Sequence, residues 1–321
     1  MRVLTATSMF CYLLLKAMLG NVKKHKGMAQ QKVLVAGASG YLGRYVVSEF
    51  AGRGYAVRAL VRNRERLSGV GANFEPDVSA LVAEVHIGDA ADRSSLRGAC
   101  DGVDIVFSCM GLTKPQNGVT SEEVDHLGNR ALLEEALESG VKRFVYISVF
   151  NAEKMMDSDM VRAHELFVAE LQASGMAYTV IRPTAYFNDM GMFFDFARKG
   201  HVFLFGDGSN RFNPIHGADL ATVCADAAND GGNREVAVGG PDIFTYDQTN
   251  LMAFEALGLP PKITHVPMWV GDAALFLIGL VNKPLESIMS FALSVSRMDN
   301  VAPPFGTRHL KEFYRELAAK G

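Results

Sequence analysis

The strongest signal for chemistry is a glycine-spaced turn near the start of the chain. Val33–Gly43 reads VLVAGASGYLG, with glycine at every third position from Gly37 onward. Gly37 permits a tight turn, Gly40 lets a phosphate approach the backbone, and Gly43 lets the next helix pack closely. Backbone N–H groups and the helix dipole attract phosphate charge there. The predicted pyrophosphate contacts are Gly37, Ser39, Gly40, Tyr41, Leu42 and Gly43.

A basic cluster follows the second apolar run. NAD-selective sites place Asp or Glu about 20 residues past the glycines, where a carboxylate binds the ribose 2′-hydroxyl. This chain has Arg62 at that point, and a guanidinium pairs with the 2′-phosphate of NADP in a forked geometry. We therefore predict NADP(H) as the cofactor. The alternative is that Arg62, Arg64 and Arg66 are solvated surface charges.

The elements that position this turn are short apolar runs separated by segments of helical spacing. Predicted strands cover Lys32–Ala36, Ala56–Val61, Val82–Ile87, Ile105–Ser108, Arg143–Ser148 and Ala177–Arg182. Predicted helices cover Tyr41–Arg53, Ser121–Ser139 and Met160–Ser174. Strands alternating with helices predict an α/β fold: a Rossmann doubly wound parallel sheet with a small, mostly helical C-terminal lobe. We assign residues 31–230 to the NADP-binding domain and 231–321 to a substrate lobe.

Two very apolar helical segments lie in the C-terminal part of the chain. Ala273–Val281 and Leu285–Val295 are each far shorter than the ~20 residues that span a bilayer. We expect both to be buried helices of the lobe. Trp269, just before them, is expected to be a packing residue.

Residues 1–30 contain five basic side chains and no acidic one, with an apolar stretch between Met9 and Leu19. The segment fits a targeting peptide, a short anchor, or a chain whose true start is Met28. The predicted location is cytoplasmic, or organellar if residues 1–27 are a transit peptide for a mitochondrion or plastid. Membrane contact is expected through residues 1–27 only.

The composition of the chain limits the classes of partner that we expect it to bind. The chain has 321 residues, 49% of them apolar, and a net charge of −3. This balance argues against nucleic acid as a partner. The cysteines show neither Cys-x-x-Cys pairs nor zinc-ligand spacing with histidine, so no metal site is predicted. We expect a small, apolar substrate and a monomer or homodimer.

Several motifs together resemble the atypical short-chain dehydrogenases/reductases, over about residues 32–230. They are Val33–Gly43, the turn at Arg62, Gly88-Asp89, Gly140–Ser148 and Tyr178–Thr184. The nearest groups are NmrA-like proteins, divinyl chlorophyllide reductases and an accessory subunit of respiratory complex I. The resemblance implies that Asp89 lies near adenine, that Gly111 and Leu112 line the pyrophosphate and ribose, and that three residues lie near the nicotinamide: Ser148, Pro183 and Thr184.

The chain departs from this resemblance at the expected catalytic helix. Many short-chain enzymes carry Tyr-x-x-x-Lys there, and the ammonium lowers the tyrosine pKa for proton transfer to a carbonyl. Here Met160 stands in the tyrosine position and His164 in the lysine position. His164 could act as the acid or bond the nicotinamide ribose. Alternatively it is a helix residue bonded to Glu165 or to the backbone. Tyr186 is a second acid candidate, or else a pocket-wall aromatic.

A proline-fixed turn, Arg211–Leu220, precedes a predicted helix. Its His216 and Asp219 could orient a substrate, or Asp219 could simply favour the helix start through the dipole.

Two functions remain open. One is an NADPH-dependent reductase of an apolar carbonyl or conjugated alkene. Reduction of a conjugated alkene would need less help from a tyrosine acid than reduction of a ketone. The other is a non-catalytic NADP(H)-binding regulatory or complex-assembly protein, which the missing Tyr/Lys pair would suit. A nucleotide-sugar epimerase is less favoured, because such enzymes need the tyrosine that Met160 replaces.

Overall fold

A computed structural model of the protein describes residues 30–112 and 118–320. The predicted targeting or anchor segment, including Met9–Leu19, lies outside the described residues.

The chain forms eleven strands in the described part. They are β1 Lys32–Ala36, β2 Ala56–Val61, β3 Glu84–Ile87, β4 Ile105–Ser108, β5 Arg143–Ile147, β6 Ala177–Pro183, β7 Val202–Phe205, β8 Arg211–Phe212, β9 Arg234–Val238, β10 Phe244–Thr245 and β11 Ile263–Val266. Seven of them form one parallel sheet in the order β3-β2-β1-β4-β5-β6-β9. The other four form two small pairs, β7 with β11 and β8 with β10.

The six predicted strands are confirmed as the first six of the parallel sheet. β9 was not predicted. Its sequence, Arg-Glu-Val-Ala-Val, begins with two exposed charged residues and reaches full burial only at Val238. An edge strand pairs on one side only, so it does not need the continuous apolar run that marks the central strands.

Nine α-helices accompany the strands within the described residues. They are α1 Tyr41–Gly52, α2 Asn129–Glu138, α3 Asp159–Ala173, α4 Phe187–Arg198, α5 Gly217–Ala227, α6 Tyr246–Leu257, α7 Met268–Gly279, α8 Lys283–Ser296 and α9 Leu310–Ala319. Helices α1 and α5 pack on one face of the large sheet, and α2 and α3 pack on the other. This three-layer arrangement is the predicted doubly wound fold.

The predicted helix from Ser121 is not a regular α-helix at its start. Glu122–Gly128 forms widened π-helical turns before α2 begins at Asn129. Such turns are frequent at functional sites, because they turn a side chain out of the normal helical register. Here they contain Asp125, which is fully buried.

A separate apolar cluster lies outside the main sheet. Helices α4, α6 and α9 contribute to it, with Phe194, Phe254 and Tyr314 among its fully buried rings. The C-terminal helix α9 is strongly amphipathic and buries four residues: Leu310, Phe313, Tyr314 and Leu317.

The prediction that both apolar C-terminal helices are buried is wrong for α7. Within the described part of the chain, Gly271 is the single buried residue of this helix. Trp269 is 70% exposed and therefore is not the expected packing residue. Composition predicts a helix here, but it does not show what covers the helix. No helix among the described residues is long and apolar enough to cross a membrane.

His216 and Asp219 have structural partners. The His216 Nδ1 atom accepts a hydrogen bond from the Ala218 N–H at 3.1 Å and caps α5. The Asp219 carboxylate accepts from the N–H groups of Thr307 and Arg308 at 3.1 and 3.0 Å, and pairs with the Arg308 guanidinium. These contacts favour the structural interpretation of both residues. The His216 cap stabilises the start of α5, and the Asp219 contacts tie the C-terminal segment to it.

Asn213 joins two chain segments through a fully buried amide. Its Nδ2 donates to the carbonyls of Gly240 and Ala302 at 3.0 and 2.9 Å, and its Oδ1 accepts from the Ala302 N–H at 3.0 Å. We expect Asn213→Ala to lower the free energy of unfolding by roughly 3 kcal/mol, because buried partners lose their hydrogen bonds. Urea denaturation measures the change. The exposed Asn229→Ala is the control, and equal losses in both variants would contradict this role.

His216 also predicts a pH dependence of stability. Burial is the main cause that lowers the His216 pKa from 6.5 to about 4. Between these values the unfolded chain binds a proton that the native state does not, so stability falls as pH drops from about 6.5 towards 4. His216→Asn replaces the capping Nδ1 acceptor with a side-chain amide oxygen and removes this titration. We expect a smaller loss of unfolding free energy between pH 7 and pH 5 than in wild type or His201→Asn. Parallel curves for all three proteins would refute the assignment.

Candidate functional site

The candidate site lies at the carboxyl edge of the parallel sheet. Strand order reverses between β1 and β4, which are neighbours in the sheet although they are not consecutive in the chain. Helices leave these two strands on opposite faces, so a crevice forms where the strands end. Gly37 follows β1 and Gly111 lies shortly after β4. The predicted cofactor residues therefore share one edge.

The glycine turn has the geometry that its spacing predicts. Gly37 has φ +83°, a conformation that favours glycine. The Gly40 N–H donates to the Gly37 carbonyl at 2.9 Å and closes the turn. A Cβ atom on Gly43 would lie 2.0 Å from the Gly37 carbonyl oxygen, a distance that no side chain can occupy. Helix α1 can begin this close to β1 only because residue 43 is glycine.

The hydrogen-bonding groups at the start of α1 belong to the backbone. Gly40 is the N-cap and supplies no side-chain hydrogen bond. The N–H groups of the first helical turn have no acceptor within the helix. Leu42 is buried, and the Tyr41 hydroxyl accepts a hydrogen bond from the Gly217 N–H at 3.0 Å. Both side chains thus serve packing, so these residues would bind phosphate through their backbone N–H groups.

Two arginines near the turn have different environments. Arg62 is exposed directly after β2, where the 2′-phosphate selector is expected. Arg44 is buried on α1 and donates to the carbonyls of Gly69 and Pro76 at 2.5 and 3.1 Å. Arg44 therefore holds the loop after β2, while Arg62 faces the solvent side. Asp89 follows β3, and its carboxylate accepts from the Ala91 N–H at 3.1 Å.

His164 lies in a buried polar cluster that sequence reasoning did not identify. Its Nδ1 atom lies 2.5 Å from the Tyr146 hydroxyl of β5, and its Nε2 atom lies 4.0 Å from Asp125 Oδ1. The alternative in which Glu165 holds His164 does not apply, since the Glu165 carboxylate forms two hydrogen bonds with the Arg182 guanidinium, at 2.7 and 2.8 Å.

Asp125 connects this cluster to the loop after β4. Its Oδ1 accepts from the Leu112 N–H at 2.7 Å, and a Cβ on Gly111 would lie 3.0 Å from the same oxygen. Its buried Oδ2 has no hydrogen-bond partner of normal geometry among the described residues. Burial is the main cause that raises the pKa of this carboxyl group, and the Leu112 N–H and the Ser121 hydroxyl oppose that rise. A buried oxygen without a donor fits a site that a hydroxyl-bearing ligand completes.

The remaining predicted contacts lie at the same edge, with their hydroxyl groups already bonded. Ser148 Oγ donates to Glu165 at 2.6 Å, and Thr184 Oγ1 donates to the Asn213 carbonyl at 2.6 Å. Pro183 ends β6 and pairs with Val238 of β9. Their contacts with a cofactor stay predictions. Because both hydroxyls already donate their single proton, Ser148 and Thr184 could only accept a hydrogen bond from a cofactor through these groups.

Tyr186 has surroundings distinct from those of His164. It is the N-cap residue of α4, and its ring centroid lies 6.1 Å from that of Tyr41. Burial raises its pKa well above the usual value. The phenol thus stays protonated at neutral pH beside the glycine turn.

Sequence reasoning missed Tyr146 and Asp125 for different reasons. Tyr146 lies within a strand that is buried throughout, where a tyrosine looks like a core residue. Asp125 lies on a segment that the spacing predicts as an ordinary helix. An acidic residue on the apolar side of that helix is the one signal that could have marked it.

Comparison with known proteins agrees with this geometry. The model of the NAD(P)H-binding family matches residues 37–231, more than half of the chain. Divinyl chlorophyllide a 8-vinyl-reductase of Oryza sativa is 28% identical, covering 91% of this chain and 80% of that relative. Mitochondrial NADH dehydrogenase 1 alpha subcomplex subunit 9 of Arabidopsis thaliana is 24% identical, covering 81% and 67%.

A solved structure shows the same fold. The NADPH-dependent quinone oxidoreductase of Escherichia coli, complexed with NADPH, superposes with a TM-score of 0.67 at 20% identity. The alignment covers 89% of this chain and 99% of that one. The sequence-based recognition is confirmed: this chain belongs to the NAD(P)H-binding family of atypical short-chain dehydrogenases/reductases.

Proposed function

We propose that the protein is an NADPH-dependent reductase of an apolar carbonyl or conjugated alkene. The observation that carries this proposal is the cluster of Tyr146, His164 and Asp125 behind Gly111. Three titratable side chains meet there although the usual tyrosine of the catalytic helix is replaced by Met160. NADPH, when bound, supplies the hydride.

The cluster suits His164 for donating a proton or a hydrogen bond. Burial raises the Tyr146 pKa far above its usual value, so its hydroxyl keeps its proton. That hydroxyl then donates to His164 Nδ1, which leaves the proton of a neutral imidazole on Nε2. The Nε2 side faces Asp125 Oδ1 and lies 3.8 Å from the position of a Cβ on Gly111. His164 would act there, toward the ribose of the cofactor or the substrate.

An apolar cluster beside the helix that carries His164 agrees with an apolar substrate. Phe291, Val295 and Met298 of the C-terminal part pack against Met155, which precedes that helix, and against Val161 in its first turn. An alkene conjugated to an acceptor group needs less acid assistance than a ketone. The vinyl-reductase relative, by its name, reduces a vinyl group.

The second candidate is a non-catalytic NADP(H)-binding role in regulation or complex assembly. Two observations favour it: methionine at position 160 cannot donate a proton, and one relative is a respiratory-complex subunit by name. In that case the Tyr146–His164 contact would serve only to position the cofactor.

We also propose that residues 1–27 direct the chain to an organelle, that residues 31–230 form the cofactor domain and that residues 231–321 form the substrate lobe. The names of the relatives support the first part, because they are chloroplastic or mitochondrial proteins. The basic, acid-free composition of the segment agrees with it.

Arg62 should select the phosphorylated cofactor. Arg62→Glu places a carboxylate where the 2′-phosphate would lie, so we expect NADPH to bind at least about tenfold more weakly while NADH binding holds or improves. Fluorescence titration with each cofactor measures the ratio. Arg64→Glu, a similar exposed charge change two residues away, is the control. If both variants keep the wild-type preference, Arg62 is a surface charge only.

His164 should separate the two candidate functions. We expect His164→Ala to lower reductase turnover about 10²-fold or more while NADPH binding weakens much less. Tyr146→Phe should lower turnover less, since it removes an orienting bond, and His164→Lys should restore part of it. Turnover is followed at the NADPH absorbance with a panel of enones and vinyl-substituted aromatics. Stoichiometric NADPH binding by the wild type without turnover on the whole panel would support the non-catalytic role instead.

A further inference from the structure

A buried arginine, Arg44, connects the glycine turn to the segment that follows Arg62. The Arg44 backbone N–H donates to the Gly40 carbonyl at 3.1 Å and so closes the first turn of α1. Its side chain is 8% exposed and reaches from α1 to the backbone of residues 66–76. We call residues 62–77, which follow β2, the selector loop. Arg44 therefore contacts both the predicted pyrophosphate site and the selector loop.

The terminal N–H groups of the Arg44 guanidinium match four backbone carbonyls of the selector loop. Its Nη1 atom donates to the carbonyls of Gly69 and Pro76 at 2.5 and 3.1 Å. Its Nη2 atom donates to the carbonyls of Arg66 and Ser68, the second at 3.3 Å. Each terminal nitrogen carries two N–H groups, so both nitrogens are fully used. A lysine ammonium has three N–H groups and lacks the planar fork, so it cannot reproduce this set of contacts.

Three of these carbonyls lie at or just beyond the end of a short helical turn. Residues Arg64–Leu67 form a 3-10 turn, and the Asn63 side chain caps its start by accepting from the Glu65 N–H at 2.8 Å. The last carbonyls of a helical turn have no donor within it, and a cation placed there satisfies them. Arg44 thus fixes the end of the turn whose start follows Arg62.

The rest of the selector loop is held together by its own contacts. The Asp77 carboxylate accepts from the Gly69 N–H at 2.7 Å and closes the loop on itself. Tyr45, the neighbour of Arg44 on α1, donates through its hydroxyl to the Phe74 carbonyl at 3.1 Å. Both side chains therefore hold the loop to α1, and the Arg44 contacts extend nearer to Arg62 in the chain.

The selector loop adds little to the core that would offset the burial of a cation. All residues from Arg62 to Arg66 are exposed, and only Leu67 and Glu75 of the loop are buried. Burying a guanidinium costs hydration free energy, which neutral carbonyls offset only in part. A side chain buried at such a cost is expected where binding needs a fixed geometry.

The covalent structure of NADP demands a fixed geometry of this kind. Its 2′-phosphate and its pyrophosphate are attached to the same ribose, so the distance between them varies little. A protein that binds both groups must hold the glycine turn and Arg62 at a matching separation. A loop that is ordered before the cofactor arrives also loses less entropy on binding.

We propose that Arg44 is a positioning residue for cofactor selection. It holds the selector loop at the distance from the glycine turn at which Arg62 can bind the 2′-phosphate of NADP(H). Arg44 acts through the loop and not by contact with the cofactor. The proposal rests on the proposed selection of NADPH by Arg62, and it does not depend on whether the protein is a catalyst.

Equilibrium titrations of the full-length protein test this role. We expect Arg44→Gln to reduce the ratio of NADPH to NADH affinity at least about tenfold, with NADH affinity changed less than about twofold, because the loss concerns the 2′-phosphate. The affinity ratio of adenosine 2′,5′-bisphosphate to adenosine 5′-monophosphate should fall similarly. Arg53→Gln, which removes an arginine at the other end of α1, is the control and should keep both ratios. Circular dichroism and thermal unfolding check that each variant is folded.

Arg44→Lys is the second variant, and it tests the proposal if Arg44→Gln does not fold. It keeps the cation but can bond only part of the carbonyl set, so its affinity ratio should lie between those of wild type and Arg44→Gln.

Two results would overturn the positioning role while leaving selection by Arg62 intact. One is a wild-type ratio in the folded Arg44 variant although Arg62→Glu has lost the preference for NADPH. The other is an equal loss of NADPH and NADH affinity, which would make Arg44 a support of the whole domain. A wild-type protein without any preference for NADPH would instead refute selection by Arg62, and the role of Arg44 with it.

Discussion

Helix α1 begins against the carbonyl of Gly37, and this close approach sets the geometry of the site. With no Cβ at Gly43, the first turn of the helix lies directly beyond the end of β1. Its N–H groups and dipole then face the crevice where strand order reverses. The side chains of Tyr41 and Leu42 are packed, so phosphate would be bound by the backbone N–H groups. A larger residue at position 43 would separate helix from strand and remove the binding surface.

The end of the crevice at which we propose the reaction differs from the corresponding end in most short-chain enzymes. A phenol and a cationic side chain stacked on one helix are replaced by partners from separate elements: Tyr146 from β5, His164 from α3 and Asp125 from the widened turns before α2. The Leu112 N–H binds Asp125, so the loop after β4 fixes this carboxylate. The cluster therefore joins three elements around the predicted position of the ribose.

The central fold and the glycine turn could be predicted because strands buried on both faces leave continuous apolar runs. β9 could not, since this edge strand begins with two exposed charged residues, Arg234 and Glu235, and has too short an apolar run. Contacts between residues far apart in the sequence could not be predicted either. Nothing in the local sequence around Tyr146 shows that its hydroxyl lies 2.5 Å from His164 Nδ1. The exposure of α7 was missed because an apolar helix has the same composition in a core and on an interaction surface.

The central claim is that NADPH lies along the edge from the glycine turn to the Gly111 loop. Hydrogen–deuterium exchange of the full-length protein, with and without saturating NADPH, tests it most directly. We predict slower exchange in peptides covering residues 37–44 and 109–112, with half-maximal protection at the NADPH concentration that half-saturates binding. Saturable NADPH binding that leaves both segments unprotected would contradict it.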